Sequence, residues 1–211
     1  MKHFSSLVTA LIIVSLVACS SNKKGSQSTA KNSSTTQAES SGIPFDLNGK
    51  PVNIAGITFT PASQWKDLGP SGMRKANYTF GPLKDDADSA TLAVFYFGKT
   101  GGGSIEANLE RWIGQMSSSD TSGSQKNVTQ SEITVDGMKA HILRVTGTYN
   151  ASVGGGMMMG KTVPQKNYLM DGVVLEAPEG NLFFKLTGPE YTANVMSEAF
   201  TAMIKAIKKN K

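Results

Sequence analysis

The hydrophobic and polar positions divide the chain into three stretches. Phe4 to Val17 is apolar apart from Ser5, Ser6, Thr9 and Ser15. Ser20 to Gly42 contains no Leu, Ile, Val or aromatic residue. From Ile43 to Lys211, short apolar runs alternate with turn residues. Val52-Asn53-Ile54 and Ile57-Thr58-Phe59-Thr60 predict a small hairpin hinged at Gly56. Met73 to Phe80 and Thr91 to Phe97 predict a strand pair. Leu92 to Phe97 is apolar on both faces, so this strand should be central and covered on both sides.

Ile105, Leu109, Trp112, Ile113 and Met116 recur at helical spacing and predict a helix over 104–116. Ser104 suits its N-cap and Glu106 the positive end of its dipole. Val128 to Val135 and Met138 to Tyr149 predict strands joined at Asp136-Gly137, a strong hairpin signal. Tyr168 to Ala177 and Leu182 to Thr187 predict a second hairpin across Pro178-Glu179-Gly180. A final helix has Pro189 in its first turn, with Val195, Met196, Ala199, Phe200, Met203, Ile204 and Ile207 on one apolar face. Lys205, Lys208, Lys209 and Lys211 are expected at its negative C-terminal end. Hairpins dominate and no βαβ series repeats. The fold class read from this pattern is α+β, a mostly antiparallel sheet with two long packed helices, one on each face.

The first stretch changes the picture most. Lys2 precedes the apolar run, which is too short and too soon followed by polar sequence to span a bilayer as a helix. It ends in Leu16-Val17-Ala18-Cys19, which resembles a bacterial lipobox. The resemblance implies a diacylglyceryl thioether on Cys19, cleavage just before it, and acylation of the new amino group. Residues 1–18 then read as a lipoprotein signal peptide. Acyl chains contribute about 0.8 kcal/mol per buried CH₂, so two or three hold a protein stably on a membrane. Serine at position 20 implies, by the sorting rule of that family, the outer membrane if the envelope is Gram-negative.

Residues 19–42 read as a lipidated, disordered tether. Eleven of the 23 residues from Ser20 to Gly42 are Ser or Thr, too polar to offset the entropy of ordering them. A flexible chain of this length spans about 25–30 Å. Residues 43–211 read as a single domain, long enough for one sizeable core.

Composition narrows the chemistry. The chain has 211 residues, with 21 Lys and Arg against 16 Asp and Glu, a net charge of +5. The single cysteine, Cys19, allows no intramolecular disulfide and no Cys-rich zinc site. The basic excess sits in the tether and the last helix turns, which is not a nucleic-acid surface.

Further residues carry a second resemblance. Gly56 to Pro61, Trp65, Met73-Arg74, Leu92 to Gly98, Gly101-Gly102-Gly103 and Asn108 to Gln115 resemble a group of uncharacterised exported bacterial proteins. The order of elements is similar to the PsbP-like α/β/α sandwich, named after an extrinsic protein of photosystem II. That resemblance implies a binding or assembly module in an extracytoplasmic space and supplies no catalytic residues.

Four motifs invite a chemical reading. Gly155 to Thr162 matches the letters of a P-loop, but Val163-Pro164 follows where a helix is required. Within it, Met157, Met158 and Met159 offer thioethers suited to Cu(I), or a sticky, adaptable loop for a protein partner. Lys99, Gly101, Gly102, Gly103 and Ser104 join a strand to a helix N-terminus, where backbone N–H groups suit an anion; the plain alternative is a permissive connection with a serine cap. His141 is the only histidine after the signal and any serine triad requires it, but it lies within a predicted strand. Asp85, Asp86 and Asp88 read as a solvated turn, and the sequons at Asn77, Asn127 and Asn150 as coincidental. No cofactor is expected. The reading is a lipid-anchored envelope protein, held to the membrane through Cys19, whose domain binds or scaffolds an envelope protein partner. An envelope hydrolase and a metal or small-anion binder stay open as alternatives.

Overall fold

Turn residues and apolar runs build the sheet of the computed structural model, which describes residues 44–117, 127–153 and 161–211. Cys19 and the Met157–Met159 run lie outside the described residues. The elements are β1 (Val52–Ile54), β2 (Ile57–Phe59), β3 (Lys66–Asp67), β4 (Arg74–Phe80), β5 (Ala90–Tyr96), α1 (Ile105–Gly114), β6 (Met116–Ser117), β7 (Asn127–Val135), β8 (Met138–Val153), β9 (Lys161–Ala177), β10 (Gly180–Pro189), α2 (Glu190–Ala206) and β11 (Lys208–Lys209). The large sheet has the order β3-β4-β5-β10-β9-β8-β6, with β7 also on β8. The small sheet has the order β1-β2-β11. Every strand pairing among the described residues is antiparallel, so the fold is α+β as the sequence predicts.

Period-two alternation on β10 separates two cores. Leu182, Phe184 and Leu186 face one core with Phe59 of β2 and Met196, Phe200 and Met203 of α2. Phe183, between them in sequence, faces the other core with Leu109, Trp112 and Met116. Each helix therefore covers its own face. Phe184 is fully buried and meets the Phe59 ring edge-on at 5.5 Å. Burial of one such side chain contributes about 1.5–3 kcal/mol. The β7–β8 turn holds Asp136 at φ 48° and Gly137 at φ 74°, the paired left-handed conformation that Asp-Gly turns favour.

Several boundaries differ from the sequence reading. The helix expected over 104–116 is α1, which ends at Gly114, and Met116 instead opens β6 opposite Tyr149. β8 and β9 run on to Val153 and Lys161, past the expected ends at Tyr149 and Tyr168. The extension is a two-stranded arm in which Pro164 pairs with Asn150; its polar positions carry no apolar alternation to announce a strand. Gly180 pairs with Ala177, so the β9–β10 turn is Pro178-Glu179 alone. Pro189 ends β10 and occupies the N-cap of α2 rather than its first turn. Lys208 and Lys209 leave the helix and pair with Thr58 and Ile57 of β2 as strand β11.

The acidic turn is also more than a solvated one. A proline N-cap has no side-chain acceptor, and α2 takes one from across the chain. Asp86 Oδ2 accepts from the Thr192 backbone N–H at 2.9 Å and from its hydroxyl at 2.6 Å. The Thr192 hydroxyl oxygen in turn accepts from Leu83 N–H at 3.0 Å. Asp86→Ala is expected to destabilise the domain by about 1–2 kcal/mol, the magnitude of a lost N-cap. Asp86→Asn, which keeps an acceptor, should lose less, and urea unfolding midpoints measure both.

Candidate functional site

One row of directly opposed residues crosses the sheet on its α1 face: Asn77, Ala93, Lys185, Gly172 and Leu143, on β4, β5, β10, β9 and β8. Gly172 carries no side chain, and a Cβ there would lie 2.5 Å from the Trp112 ring. That gap seats α1 over β8 and β9, where it packs. Over β4 and β5 no helix covers this face among the described residues. Arg74 is exposed there, and Thr79, Thr91 and Phe95 are half-buried.

Lys185 lies at the boundary between the covered and uncovered halves. Its ammonium group donates to Gln115 Oε1 at 2.5 Å and to the Tyr149 hydroxyl oxygen at 3.4 Å, and lies 5.0 Å from the Tyr149 ring centroid. Gln115 is the C-cap of α1, so Lys185 meets the negative end of that helix. Burial, followed by the positive charges of Arg111 and Arg74, pushes the Lys185 ammonium down to about 8. Both arginines are held by amides in their turn. Arg74 Nη1 donates to Asn77 Oδ1 at 3.1 Å, and Arg111 Nη2 donates to Asn108 Oδ1 at 2.5 Å. None of the three cations makes an ion pair among the described residues.

Two phenols share the α1 face with Lys185. Tyr149 and Tyr168 stack at 5.9 Å, and Tyr168 donates to Asp88 Oδ2 at 3.0 Å. Burial raises both phenols above their ordinary value; Asp88 raises Tyr168 further, while Arg74 partly offsets the rise at Tyr149. Thr187 shares the Lys185 face two residues along β10, and its hydroxyl oxygen is buried without a hydrogen-bond partner.

No protein-family model and no curated protein matches this chain. The solved structures similar to it include two that match over most of its length. One is LpqN of Mycobacterium tuberculosis, described as involved in cell envelope biogenesis, at 14% identity and a TM-score of 0.46, covering 78% of this chain and 86% of that one. The other is the cyanobacterial PsbP (CyanoP) of Synechocystis sp. PCC 6803, at 10% identity and a TM-score of 0.46, covering 76% of this chain and 91% of that one. Likeness of this degree leaves residue roles to this chain's own geometry.

The residues singled out in the sequence fall elsewhere. Ser104 caps α1, its hydroxyl oxygen accepting from Ala107 N–H at 3.2 Å. Gly101 N–H donates to Gly98 O at 3.2 Å, and Asn108 Nδ2 donates to the carbonyls of Gly102 and Ser104 at 2.7 Å each. Gly102, at φ 92°, lies so close to Phe183 that a Cβ would stand 2.6 Å from its ring. Lys99 is exposed at the start of this loop. Lys161 and Thr162 open strand β9, so no helix follows the P-loop letters.

His141 faces two carboxylates, Glu132 Oε1 at 2.9 Å from Nδ1 and Glu176 Oε1 at 2.8 Å from Nε2. It lines a surface cavity of about 190 Å³ with Leu109 and Gln130. Ser131, the neighbouring serine on β7, pairs with Ile142 and so points to the opposite face. Both ring nitrogens are engaged by glutamates, and among the described residues no serine hydroxyl contacts them.

Lys185 was not among the residues the sequence reading picked out. Its signal was present nonetheless: a single lysine inside Leu182-Phe183-Phe184-Lys185-Leu186, where a strand buried on both faces has no solvated position for a charge.

Proposed function

We propose that the chain is a lipid-anchored cell-envelope protein whose α+β domain is a non-catalytic binding module. The observation that carries the reading is Leu16-Val17-Ala18-Cys19 at the end of an apolar run, followed by 23 residues without Leu, Ile, Val or an aromatic. Acyl chains on Cys19 hold the chain to the membrane, and the tether gives the domain reach. In a Gram-negative envelope, Ser20 directs it to the outer membrane.

Binding rather than catalysis is favoured by the side chains themselves. The histidine that a serine triad would need is engaged on both sides by glutamates. The cations on the α1 face are held in place by neutral amides and make no ion pair among the described residues. The Met157–Met159 run, outside the described residues, is a second candidate contact for an envelope protein partner, because thioether side chains adapt to varied apolar surfaces. Metabolic labelling of cells with a fatty-acid precursor tests the anchor. Wild type is expected to incorporate label and fractionate with membranes, and Cys19→Ala to lose both. Label retained in Cys19→Ala overturns the anchor.

A further inference from the structure

We propose that β7 is an interface strand, on which the β7 of a second copy of this chain pairs antiparallel about a two-fold axis at Ser131. The inference goes beyond the binding-module reading and does not depend on it.

The strand β7, Asn127 to Val135, pairs with β8 alone. Asn127 to Glu132 are all exposed, on both faces of the sheet. The turn sets which backbone groups look outward. Asp136 and Gly137 form a two-residue turn with both φ values positive, and such a turn is closed by a hydrogen-bonded pair, here Val135 and Met138. Antiparallel pairs alternate, so Val128, Gln130, Glu132 and Thr134 turn their N–H and C=O groups away from β8. Among the described residues no backbone bond is made to those groups.

Open edges invite another strand, and folds ordinarily blunt them with short length, lysine or proline. The other edges here follow that rule. β3 and β6 have two residues each, β1 has three behind Pro51, and β11 is Lys208-Lys209. Where β9 runs past β10, its edge carries Lys161, Pro164 and Lys166. β7 has none of these devices. It holds no Lys, Arg, Pro or Gly, and Val128, Thr129, Ile133, Thr134 and Val135 favour an extended chain. Its one charge, Glu132, is engaged within the copy by His141 at 2.9 Å and Lys139 at 3.9 Å.

The order of residues along the edge selects a second copy as the occupant. Ser131 is the midpoint of β7. A two-fold axis there sets Gln130 opposite the second copy's Glu132, and Val128 opposite its Thr134. All four outward residues of each copy are then paired, and the opposed pairs exchange about eight backbone bonds. No like charges face each other, and the Gln130 amide can donate to the facing carboxylate. An axis at Glu132 would oppose two carboxylates and leave Val128 without a strand partner. An axis at Gln130 would leave Thr134 without one. A contact of this isologous kind closes on itself and stops at a dimer.

The test introduces Ser131→Cys into the full chain and oxidises intact cells that produce it, with wild type and Thr129→Cys as controls. At the axis, residue 131 meets its counterpart at a Cα separation of about 4.5 Å, within disulfide reach. Two copies of residue 129 lie four strand positions apart, about 14 Å. Ser131→Cys is expected to give a disulfide-linked species of twice the chain's mass, at least ~10-fold more abundant than in either control. Adding Gln130→Pro removes an outward N–H and leaves the β8 ladder intact. It costs the dimer two bonds, one from each copy, and should cut the crosslink at least ~10-fold at an unchanged urea midpoint. The comparison of the two cysteine variants stands even if the proline disturbs the strand. No doubled species in Ser131→Cys, equal crosslinking of both cysteine variants, or a crosslink that survives Gln130→Pro overturns the pairing. Ser131→Cys joined to a different protein assigns the edge to a strand of another chain and also overturns it. None of these outcomes touches the anchor, which fatty-acid labelling reads on its own.

Discussion

Lys185→Met is expected to make the domain more stable at pH 7 than the natural sequence. The unfolded chain holds the lysine at its ordinary value near 10.5, whereas the folded protein pushes it down to about 8. That difference corresponds to an upper bound of about 3 kcal/mol of destabilisation wherever the folded state must carry the charge. Methionine keeps the length and apolar character of the lysine stem and removes the charge. It also removes the 2.5 Å contact to Gln115, a loss of about 1 kcal/mol. A net gain of about 1–2 kcal/mol follows, read as an increase in the urea midpoint at unchanged slope.

The pH profile separates this cause from general improvement in packing. A cation whose folded value is depressed destabilises the folded state most below that value. Stability is therefore regained as pH rises from about 8 toward the unfolded value near 10.5. The charged and titratable groups facing Lys185 are Arg74, Arg111, Tyr149 and, through the tyrosine stack, Tyr168 with Asp88. The phenols act in the opposite sense. Burial raises Tyr149 and Tyr168, and on β4 it raises Tyr78 to about 12, with the Asp67 charge adding to the rise. Their contribution is complete below the ordinary phenol range and is lost as pH climbs through the raised values. Wild-type stability should thus climb between pH 8 and about 10 and fall beyond it. Lys185→Met should lack the climb and keep the fall. A variant that climbs as wild type does would show that another group is responsible.

The second large effect is expected at Gly172. A Cβ at this position would lie 2.5 Å from Cε3 and Cζ3 of Trp112, a ring buried to 4% exposure on α1. β9 is interior to the sheet, paired with β10 and β8, so the strand cannot move aside. The helix must lift or the ring must leave its rotamer. Overpacking of this kind costs about 1–3 kcal/mol for a small addition. Gly172→Ala should fall in that range, and Gly172→Val should exceed it as the branched side chain drives α1 off the sheet. Gly114 supplies the control. A Cβ there meets nothing within 4 Å, so Gly114→Ala is expected to stabilise by about 0.5–1 kcal/mol through helix propensity alone. Pairing Gly172→Ala with Trp112→Phe should recover part of the loss, and the double-mutant cycle measures how much of the clash is that ring. Equal stability of Gly172→Val and wild type would contradict the packing described.

The strongly periodic parts of the fold were legible in the sequence. The β7–β8 hairpin announced itself by Asp136-Gly137 between apolar runs, and α1 by Ile105, Leu109, Trp112 and Ile113 at helical spacing behind a serine cap, although Met116, which continues that spacing, belongs to β6. The polar arm of β8 and β9 did not, because its pairing depends on backbone hydrogen bonds that no side-chain pattern signals. The strand at Lys208 and Lys209 was hidden for another reason. Lysine suits both a helix end and an exposed edge strand, and only the position of β2 decides between them. The candidate site was the least legible part. Lys185, Arg74 and Arg111 are more than 100 residues apart at their extremes, and only sheet order and the seating of α1 put them on one side of the sheet. Asp86 illustrates the same limit. Its role as the cap of α2 requires Thr192, which lies 106 residues away.

The place of β10 in the sheet has a consequence for how the chain is made. It pairs with β5 on one side and β9 on the other, and it alone joins the β3-β4-β5 half to the β9-β8 half. Its partners on β5 lie about ninety residues earlier, as with Leu92 opposite Leu186. Until β10 has been synthesised, each half holds only local hairpins and neither core has both of its walls. Closure of such distant contacts comes late and slowly. A nascent chain of this design stays loose and threadable for nearly its whole length, then closes once its last sixth has emerged. A channel that passes only extended polypeptide would find no finished domain to obstruct it.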